Sequence, residues 1–68
     1  MITKTLGRRL KALRARKGLN QEEFALSVGM PRIYYDAIET GTRIASVLEL
    51  ETLAQKLGVT LEELFRGL

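Results

Sequence analysis

The chain has 68 residues, so we expect one small domain over residues 1–68. Hydrophobic residues make up 46% of it and charged residues 28%, a balance typical of a folded chain rather than a disordered one. It contains no Cys and no His, which excludes disulfide frameworks, zinc fingers and imidazole catalysis. The sequence has no apolar run of membrane-spanning length and no signal-peptide core, so we expect a cytoplasmic protein without a cofactor.

Positive charge is concentrated at the beginning of the chain. Residues 1–21 contain seven Lys and Arg residues and no acidic residue, whereas residues 22–68 are net acidic. A basic block on a mildly acidic domain favours a polyanionic partner such as nucleic acid. The alternative interpretation is a solvated helix face.

The spacing of apolar residues predicts helices almost throughout the chain. Leu6, Leu10 and Leu13 form one apolar stripe in the first helix. The second, fourth and fifth helices begin at capping boxes, in which Asn, Ser or Thr is followed three residues later by Glu. These pairs are Asn20 with Glu23, Ser46 with Glu49, and Thr60 with Glu63. Pro31 opens the third helix, and the chain has no alternating strand pattern, so we expect an all-α domain of five helices.

The connection between the second and third helices is short and contains Gly29. Two short helices joined by a turn of three to four residues with a glycine have the geometry of a helix-turn-helix, here over about residues 21–39. Gly29 then requires a positive φ or a close backbone approach. The alternative is an ordinary corner of a helical bundle, which also occurs in proteins that bind no DNA.

An ordered set of residues with fixed spacing covers positions 6–65. It comprises Leu6-Gly7, Arg9-Leu10, Leu13-Arg14, Gly18-Leu19, Gln21, Glu23, Ala25, Gly29, Ile38-Glu39, Gly41, Ser46, Leu50, Leu53-Ala54, Leu57-Gly58-Val59, Leu61 and Leu64-Phe65. This set resembles the Cro/repressor-type (XRE-like) helix-turn-helix family of transcriptional regulators. Arg32 followed by Tyr34 is similar to the third helix of the restriction–modification controller proteins. The resemblance implies a compact five-helix fold like the DNA-binding domains of lambda and other phage repressors, in a bacterial or phage-encoded protein.

The resemblance also implies sequence-specific binding of double-stranded DNA, with a recognition helix over about residues 31–39 in the major groove. Arg32 would read a base, because a guanidinium fork fits the O6 and N7 acceptors of guanine. Ile33 would contact a thymine methyl group. Tyr34 and Ala37 would also face the bases, although Ala37 is too short for hydrogen-bonded readout.

Contacts to the DNA backbone are expected from Asn20, Gln21, Arg43 and Arg9. Gln21 lies in the first turn of the second helix, where free N–H groups favour a phosphate. Arg43 is unpaired by pattern, in the loop after the third helix. Arg9 is a weaker candidate, because the first helix of this family lies partly away from DNA.

Three residues of the domain are assigned structural roles by the resemblance. Arg14 and Glu39 occupy positions that form a salt bridge in some phage repressors, so we expect an ion pair between them. Tyr35 falls on a buried position, and we expect its hydroxyl to reach the domain surface.

The family dimerises, and one recognition helix contacts too few base pairs for a specific site. We therefore expect a symmetric homodimer on a palindromic operator. The fifth helix and the adjoining end of the fourth would form the interface, with Ile44, Leu48, Leu61 and Leu68 as its residues.

Two other classes of function are weighed against DNA binding. Catalysis is not expected, because the sequence offers neither a nucleophile–base pair nor a cluster of metal ligands. The serious alternative is an antitoxin-type or other interaction module, which binds a protein partner as well as, or instead of, DNA.

Overall fold

The computed structural model describes residues 2–68, and five α-helices occur within this range. They are α1 (Ile2–Arg16), α2 (Gln21–Ser27), α3 (Arg32–Thr40), α4 (Val47–Leu57) and α5 (Leu61–Phe65). No strand is found in residues 2–68. The predicted all-α class and number of helices are confirmed.

All three predicted capping boxes are present. At the start of α2, the Asn20 side chain accepts a hydrogen bond from the Glu23 N–H at 2.7 Å, and Glu23 Oε1 accepts one from the Asn20 N–H at 2.9 Å. The same reciprocal pair of bonds begins α4 and α5. Helix α3 begins differently, because Pro31 at its N-cap has no side-chain acceptor for the first free N–H groups.

The turn between α2 and α3 consists of residues 28–31. Gly29 has a φ of +73°, in the left-handed region that side chains with a Cβ rarely adopt. A Cβ built at Gly29 would meet no atom within 4 Å, so the turn requires the positive φ rather than the absence of a side chain. The predicted helix-turn-helix is confirmed over α2 and α3.

Side chains from α1 to α5 and from the loop before α4 share one core. Leu10, Leu53 and Leu64 are fully buried in it. The Phe24 and Tyr35 rings meet edge to face, with their centroids 5.2 Å apart. Because Phe24 is on α2 and Tyr35 is on α3, this contact fixes the two helices of the helix-turn-helix against each other.

Gly7 marks the closest approach between α1 and α3. A Cβ at this position would lie 2.1 Å from the Glu39 carbonyl oxygen, which is far inside van der Waals contact. The two helices therefore meet backbone to backbone, and α3 is held on α1 as well as on α2. This contact was not predicted from the sequence, although a glycine within a helical pattern is a signal for one.

Candidate nucleic-acid interface

Helix α3 has one buried face and one exposed face. Tyr35, Ile38 and Glu39 are buried, whereas Arg32 is exposed and Ile33 has 83% of its surface exposed. Ala37, one turn after Ile33, is half-buried on the outward side. The residues predicted to contact bases thus lie on the outward and lateral faces of this helix.

Arg32 lies beside the beginning of α2. It lines an open cleft together with Arg14, Asn20, Gln21 and Glu22. The structure therefore brings the predicted base reader Arg32 next to two of the residues predicted to contact phosphates. A guanidinium here is free to meet planar acceptors in a groove.

Tyr34, Arg43 and Glu49 form a cluster on the other side of α3, towards the beginning of α4. The Tyr34 hydroxyl donates to Glu49 Oε2 at 2.5 Å, and the Arg43 guanidinium carbon lies 3.9 Å from the centre of the Tyr34 ring. The hydrogen bond from Tyr34, followed by that from the Ser46 main-chain N–H, lowers the pKa of Glu49. Tyr34 and Arg43 were predicted separately as DNA contacts, whereas Glu49 was predicted only as a capping residue, and its bond to Tyr34 was missed.

A buried polar network fixes the inward side of α3. Arg14 Nε and Nη2 donate to the two carboxylate oxygens of Glu39 at 2.7 and 3.2 Å, and Arg14 Nη1 donates to the Leu19 carbonyl at 2.8 Å. The predicted ion pair is confirmed. The expectation for Tyr35 is wrong in one respect, because its hydroxyl is buried and donates to Glu39 Oε2 at 2.5 Å.

Burial and hydrogen bonding have opposite effects on Glu39. Burial raises the pKa of its carboxyl group, but hydrogen bonds from Arg14, Tyr35 and Gln21 outweigh burial and lower the pKa below its usual range. The hydrogen bond to Glu39 raises the pKa of Arg14. The pair is therefore ionised, and its charges are satisfied inside the protein.

Gln21 has a different environment from the one its predicted role suggests. Its amide nitrogen donates to Asp36 Oδ1 at 2.8 Å and to Glu39 Oε1 at 2.9 Å. An amide nitrogen has two N–H groups, and both are used in these bonds. A phosphate contact from this side chain would require one of them to break, so Gln21 links α2 to α3 in this structure.

The sequence matches a known family across most of its length. A helix-turn-helix family model matches residues 10–64, the segment from the middle of α1 to α5. The chain belongs to this helix-turn-helix family. Its five-helix architecture is that of a helix-turn-helix DNA-binding domain.

Named relatives agree with this membership. The control protein C.MunI of Mycoplasma sp is 47% identical over 60 residues, which cover 87% of this chain and 81% of that protein. An uncharacterized HTH-type transcriptional regulator of Sinorhizobium fredii, y4dJ, is 41% identical over 63 residues, which cover 93% of this chain and 82% of that protein.

Solved structures show the same fold. The restriction-modification controller protein C.AhdI from Aeromonas hydrophila has a TM-score of 0.88 at 38% identity, covering 93% of this chain and 96% of that one. The hypothetical transcription factor NHTF from Neisseria has a TM-score of 0.89 at 29% identity, covering 96% of this chain and 75% of that one. The predicted family is confirmed, and this helix-turn-helix protein is a sequence-specific DNA-binding transcriptional regulator.

Arg9 lies on the side of this helix-turn-helix domain where α1 meets α5. Its guanidinium donates to the Leu64 carbonyl at 3.1 Å and to the Arg66 carbonyl. These bonds satisfy carbonyls at the end of α5, which a helix leaves without partners. The structure does not bring Arg9 together with the exposed residues of α3.

Exposed apolar side chains form what we call the apolar edge. It consists of Ile2, Ile44, Val47, Leu48 and Phe65. Ile44 and Leu48 are 78% and 75% exposed, and Ile44 borders an open groove of about 210 Å³ that Ile2 and Phe65 also line. Of the other predicted interface residues, Leu61 packs partly buried against the core, and Leu68 is half-buried.

Residues 2–68 have the features of neither a metal site nor a membrane-spanning helix. No group of His, Cys, Asp or Glu in that range has the arrangement of a metal site. None of the described helices is long and apolar enough to cross a membrane.

Proposed function

We propose that the chain regulates transcription by inserting the N-terminal half of α3 into the major groove of an operator. The observation that carries this proposal is the exposure of Arg32 and Ile33 on a helix whose other face is locked by Tyr35 and Glu39. A guanidinium next to an apolar branched side chain suits a guanine beside a thymine methyl group. Ala37 and Tyr34 are half-buried at the border of this exposed face, and we assign them to the base-contacting set as well.

Backbone contacts are proposed for Asn20 and Arg43, which flank α3 on opposite sides. Asn20 is exposed beside Arg32, and Arg43 is exposed above Tyr34. Their positions favour one phosphate contact on each side of the groove. Gln21 would contribute through its main-chain N–H, because both donors of its side chain are used. Arg9 is not included, because it binds the end of α5.

A second copy of the chain is the proposed occupant of the apolar edge. Ile2, Ile44 and Phe65 line one groove, and together with the exposed Val47 and Leu48 they exceed the scattered single residues of an ordinary small monomer. A two-fold dimer also places two recognition helices in successive major grooves, about 34 Å apart, on a palindromic operator. We place Ile44 and Leu48 in this interface, and Leu61 and Leu68 at its border.

Catalysis is not part of the proposed function. We also propose that the protein acts in the cytoplasm of a bacterium, because its partner is DNA and its named relatives are bacterial. The alternative of a toxin-like or other protein partner predicts a heterologous complex through the apolar edge. The homodimer is favoured because it also supplies the second half-site that specific binding requires.

In vitro selection from random duplexes, followed by sequencing, tests the DNA proposal. We expect an inverted repeat, and affinity for it that falls steeply as the salt concentration rises because counterions are released from phosphates. Affinity that is the same at low and at physiological salt would remove DNA as the main partner.

Sedimentation of Leu48→Glu tests the dimer. The exposed charge should convert the dimer to a monomer and abolish binding to two half-sites without loss of helicity, since Leu48 is outside the core. Leu61 is a poorer choice, because a charge there would also disturb the core. Leu26→Glu is the control, because Leu26 is equally exposed on α2, away from the apolar edge. A wild-type protein that stays monomeric on its operator would contradict the proposal.

A further inference from the structure

We propose that Glu49 is a positioning residue for DNA recognition, although it belongs to α4 and not to the recognition helix. It acts through Tyr34, whose hydroxyl it binds, and through Arg43, which stacks on the Tyr34 ring. This inference rests on the function proposed above, because it takes Tyr34 and Arg43 as part of the DNA-contacting surface.

The two oxygens of the Glu49 carboxylate have separate partners. Oε1 accepts a hydrogen bond from the Ser46 N–H at 2.8 Å, while Oε2 accepts one from the Tyr34 hydroxyl at 2.5 Å. The Glu49 N–H in turn donates to Ser46 Oγ at 3.1 Å. The capping box therefore fixes the carboxylate at the beginning of α4, and the carboxylate offers Tyr34 an acceptor at a defined position.

A tyrosine ring anchored by its hydroxyl has little freedom to rotate away. Its backbone end is fixed by α3 and its far end by Glu49, which sets the direction of the ring's long axis. Packing of the half-buried ring against the core, with Arg43 on its face, restricts rotation about that axis. The Arg43 guanidinium lies over that plane, attracted both by the ring and by the nearby negative charge of Glu49. A long exposed side chain is thus ordered before DNA arrives, which reduces the entropy that binding would cost.

This arrangement affects discrimination between sequences more than general affinity. Tyr34 makes its contacts with a particular operator only if the ring has the correct orientation. Attraction between Arg43 and phosphates does not depend on that orientation. Loss of the Glu49 charge makes Arg43 less ordered but also removes a negative charge that repels phosphates, so its two effects on general affinity oppose each other. Glu49 should therefore contribute to the ratio of specific to non-specific affinity.

Tyr34→Phe removes the hydrogen bond to Glu49, and Glu49→Gln replaces its charged acceptor by an amide N–H, which can only donate a weaker neutral bond to the Tyr34 hydroxyl. Gln also fits the third position of a capping box, so the start of α4 is retained, but its amide replaces the oxygen that Tyr34 uses. Phe keeps the ring beneath Arg43 and lacks the hydroxyl. Both variants are compared with the double variant, which shows whether the two residues act through one interaction.

The binding assay uses two duplexes of equal length, one selected by the wild-type protein from a random pool and one of random sequence. Either single variant should lose about tenfold in affinity for the selected duplex, as expected for a hydrogen bond to a charged group. Affinity for the random duplex should stay within about twofold of wild type. The double variant should lose no more than the weaker-binding single variant.

Glu63→Gln is the matched control. Glu63 occupies the same capping position at α5, where it accepts a hydrogen bond from the Thr60 N–H at 3.1 Å, and its substitution changes the net charge by the same amount. It should leave the affinity ratio of the two duplexes unchanged. Circular dichroism shows that each variant is folded at the assay temperature.

Each outcome has a distinct meaning. If the wild-type protein binds no duplex, the proposed function is overturned together with this inference. If it discriminates between the duplexes and Glu49→Gln keeps the same ratio as Glu63→Gln, only the role of Glu49 is overturned. Losses that add in the double variant would likewise show that Glu49 does not act through Tyr34.

Discussion

The inward and outward sides of α3 are built on opposite plans. Inward, Tyr35 and Glu39 are buried, and their polar atoms are bonded to residues of α1, α2 and α3 itself. Outward, Arg32 and Ile33 project into solvent from the first turn. In this nine-residue helix the buried side determines the orientation, while the outward side, which we propose contacts DNA, takes no part in holding the helix. The Tyr34–Glu49 contact lies between the two sides: Tyr34 is held by a hydrogen bond, as on the inward side, but it is only half-buried.

The largest loss of stability is expected when the Arg14–Glu39 pair on the inward side of α3 is disrupted. Arg14→Ala leaves a buried carboxylate without its main partner, which costs roughly 3–5 kcal/mol in the free energy of unfolding. Such a loss approaches the whole stability of a small domain. Urea unfolding followed by circular dichroism measures it. Arg16→Ala, on the exposed side of the last turn of α1, should change the unfolding free energy by less than about 0.5 kcal/mol. Equal effects of the two substitutions would contradict the assigned role of the network.

The close contact of Gly7 in α1 with the backbone of α3 also holds the inward side of α3 in place. Alanine normally stabilises a helix relative to glycine, but a Cβ here would collide with the Glu39 carbonyl. Gly7→Ala should therefore destabilise the protein by about 1–3 kcal/mol, as overpacking does. Gly18→Ala is a useful contrast, because its cost comes from a φ of +74° with no atom within 4 Å. A thermal melt in which Gly7→Ala is as stable as wild type would show that α1 and α3 are not held this closely.

Sequence reasoning succeeded where the signal is local. Capping boxes, glycines after helices and apolar spacing act within a few residues, and the predicted helix boundaries follow from them. The Arg14–Glu39 pair was available only from the resemblance, because its partners are 25 positions apart. The hydrogen-bond partners of the Gln21 and Arg9 side chains, and the bond from Tyr34 to Glu49, could not be predicted. Each depends on which distant group the fold places within reach of a flexible side chain.

Substitutions of Arg32 and Arg43 distinguish a base contact from a phosphate contact on the outward side of α3. Arg32→Ala should lower operator affinity by roughly 1–3 kcal/mol and relax preference at one guanine, because a bidentate base contact is lost. Arg43→Ala should lower the affinity for all DNA sequences alike. It should also reduce the slope of log affinity against log salt concentration by about 1, as expected for the loss of a phosphate contact. A panel of operators with single base substitutions distinguishes the two patterns. If both variants lose affinity uniformly across the panel, Arg32 is not a base reader.

The smallest expected effect is the pH dependence that Glu39 adds to stability. Hydrogen bonds from Arg14, Tyr35 and Gln21 outweigh the opposing effect of burial and lower the pKa of Glu39 in the folded state. In the unfolded chain it titrates near its ordinary value of about 4.3. Below that pH the unfolded state binds a proton that the folded state excludes, so this contribution is present at neutral pH and is lost as the pH falls through the folded pKa.

Glu39→Gln should therefore be less stable than wild type at neutral pH and should lose less stability between neutral pH and the acidic range. Tyr35→Phe keeps the buried ring and removes only one of the hydrogen bonds to Glu39, so its acid dependence should fall between those of wild type and Glu39→Gln. Urea unfolding repeated at several pH values measures all three proteins under the same conditions. If Glu39→Gln and wild type lose stability in parallel as the pH falls, the ionised carboxylate on the inward side of α3 does not stabilise the fold. The orientation of the recognition helix would then have to depend on the apolar contacts around Phe24 and on the close approach at Gly7.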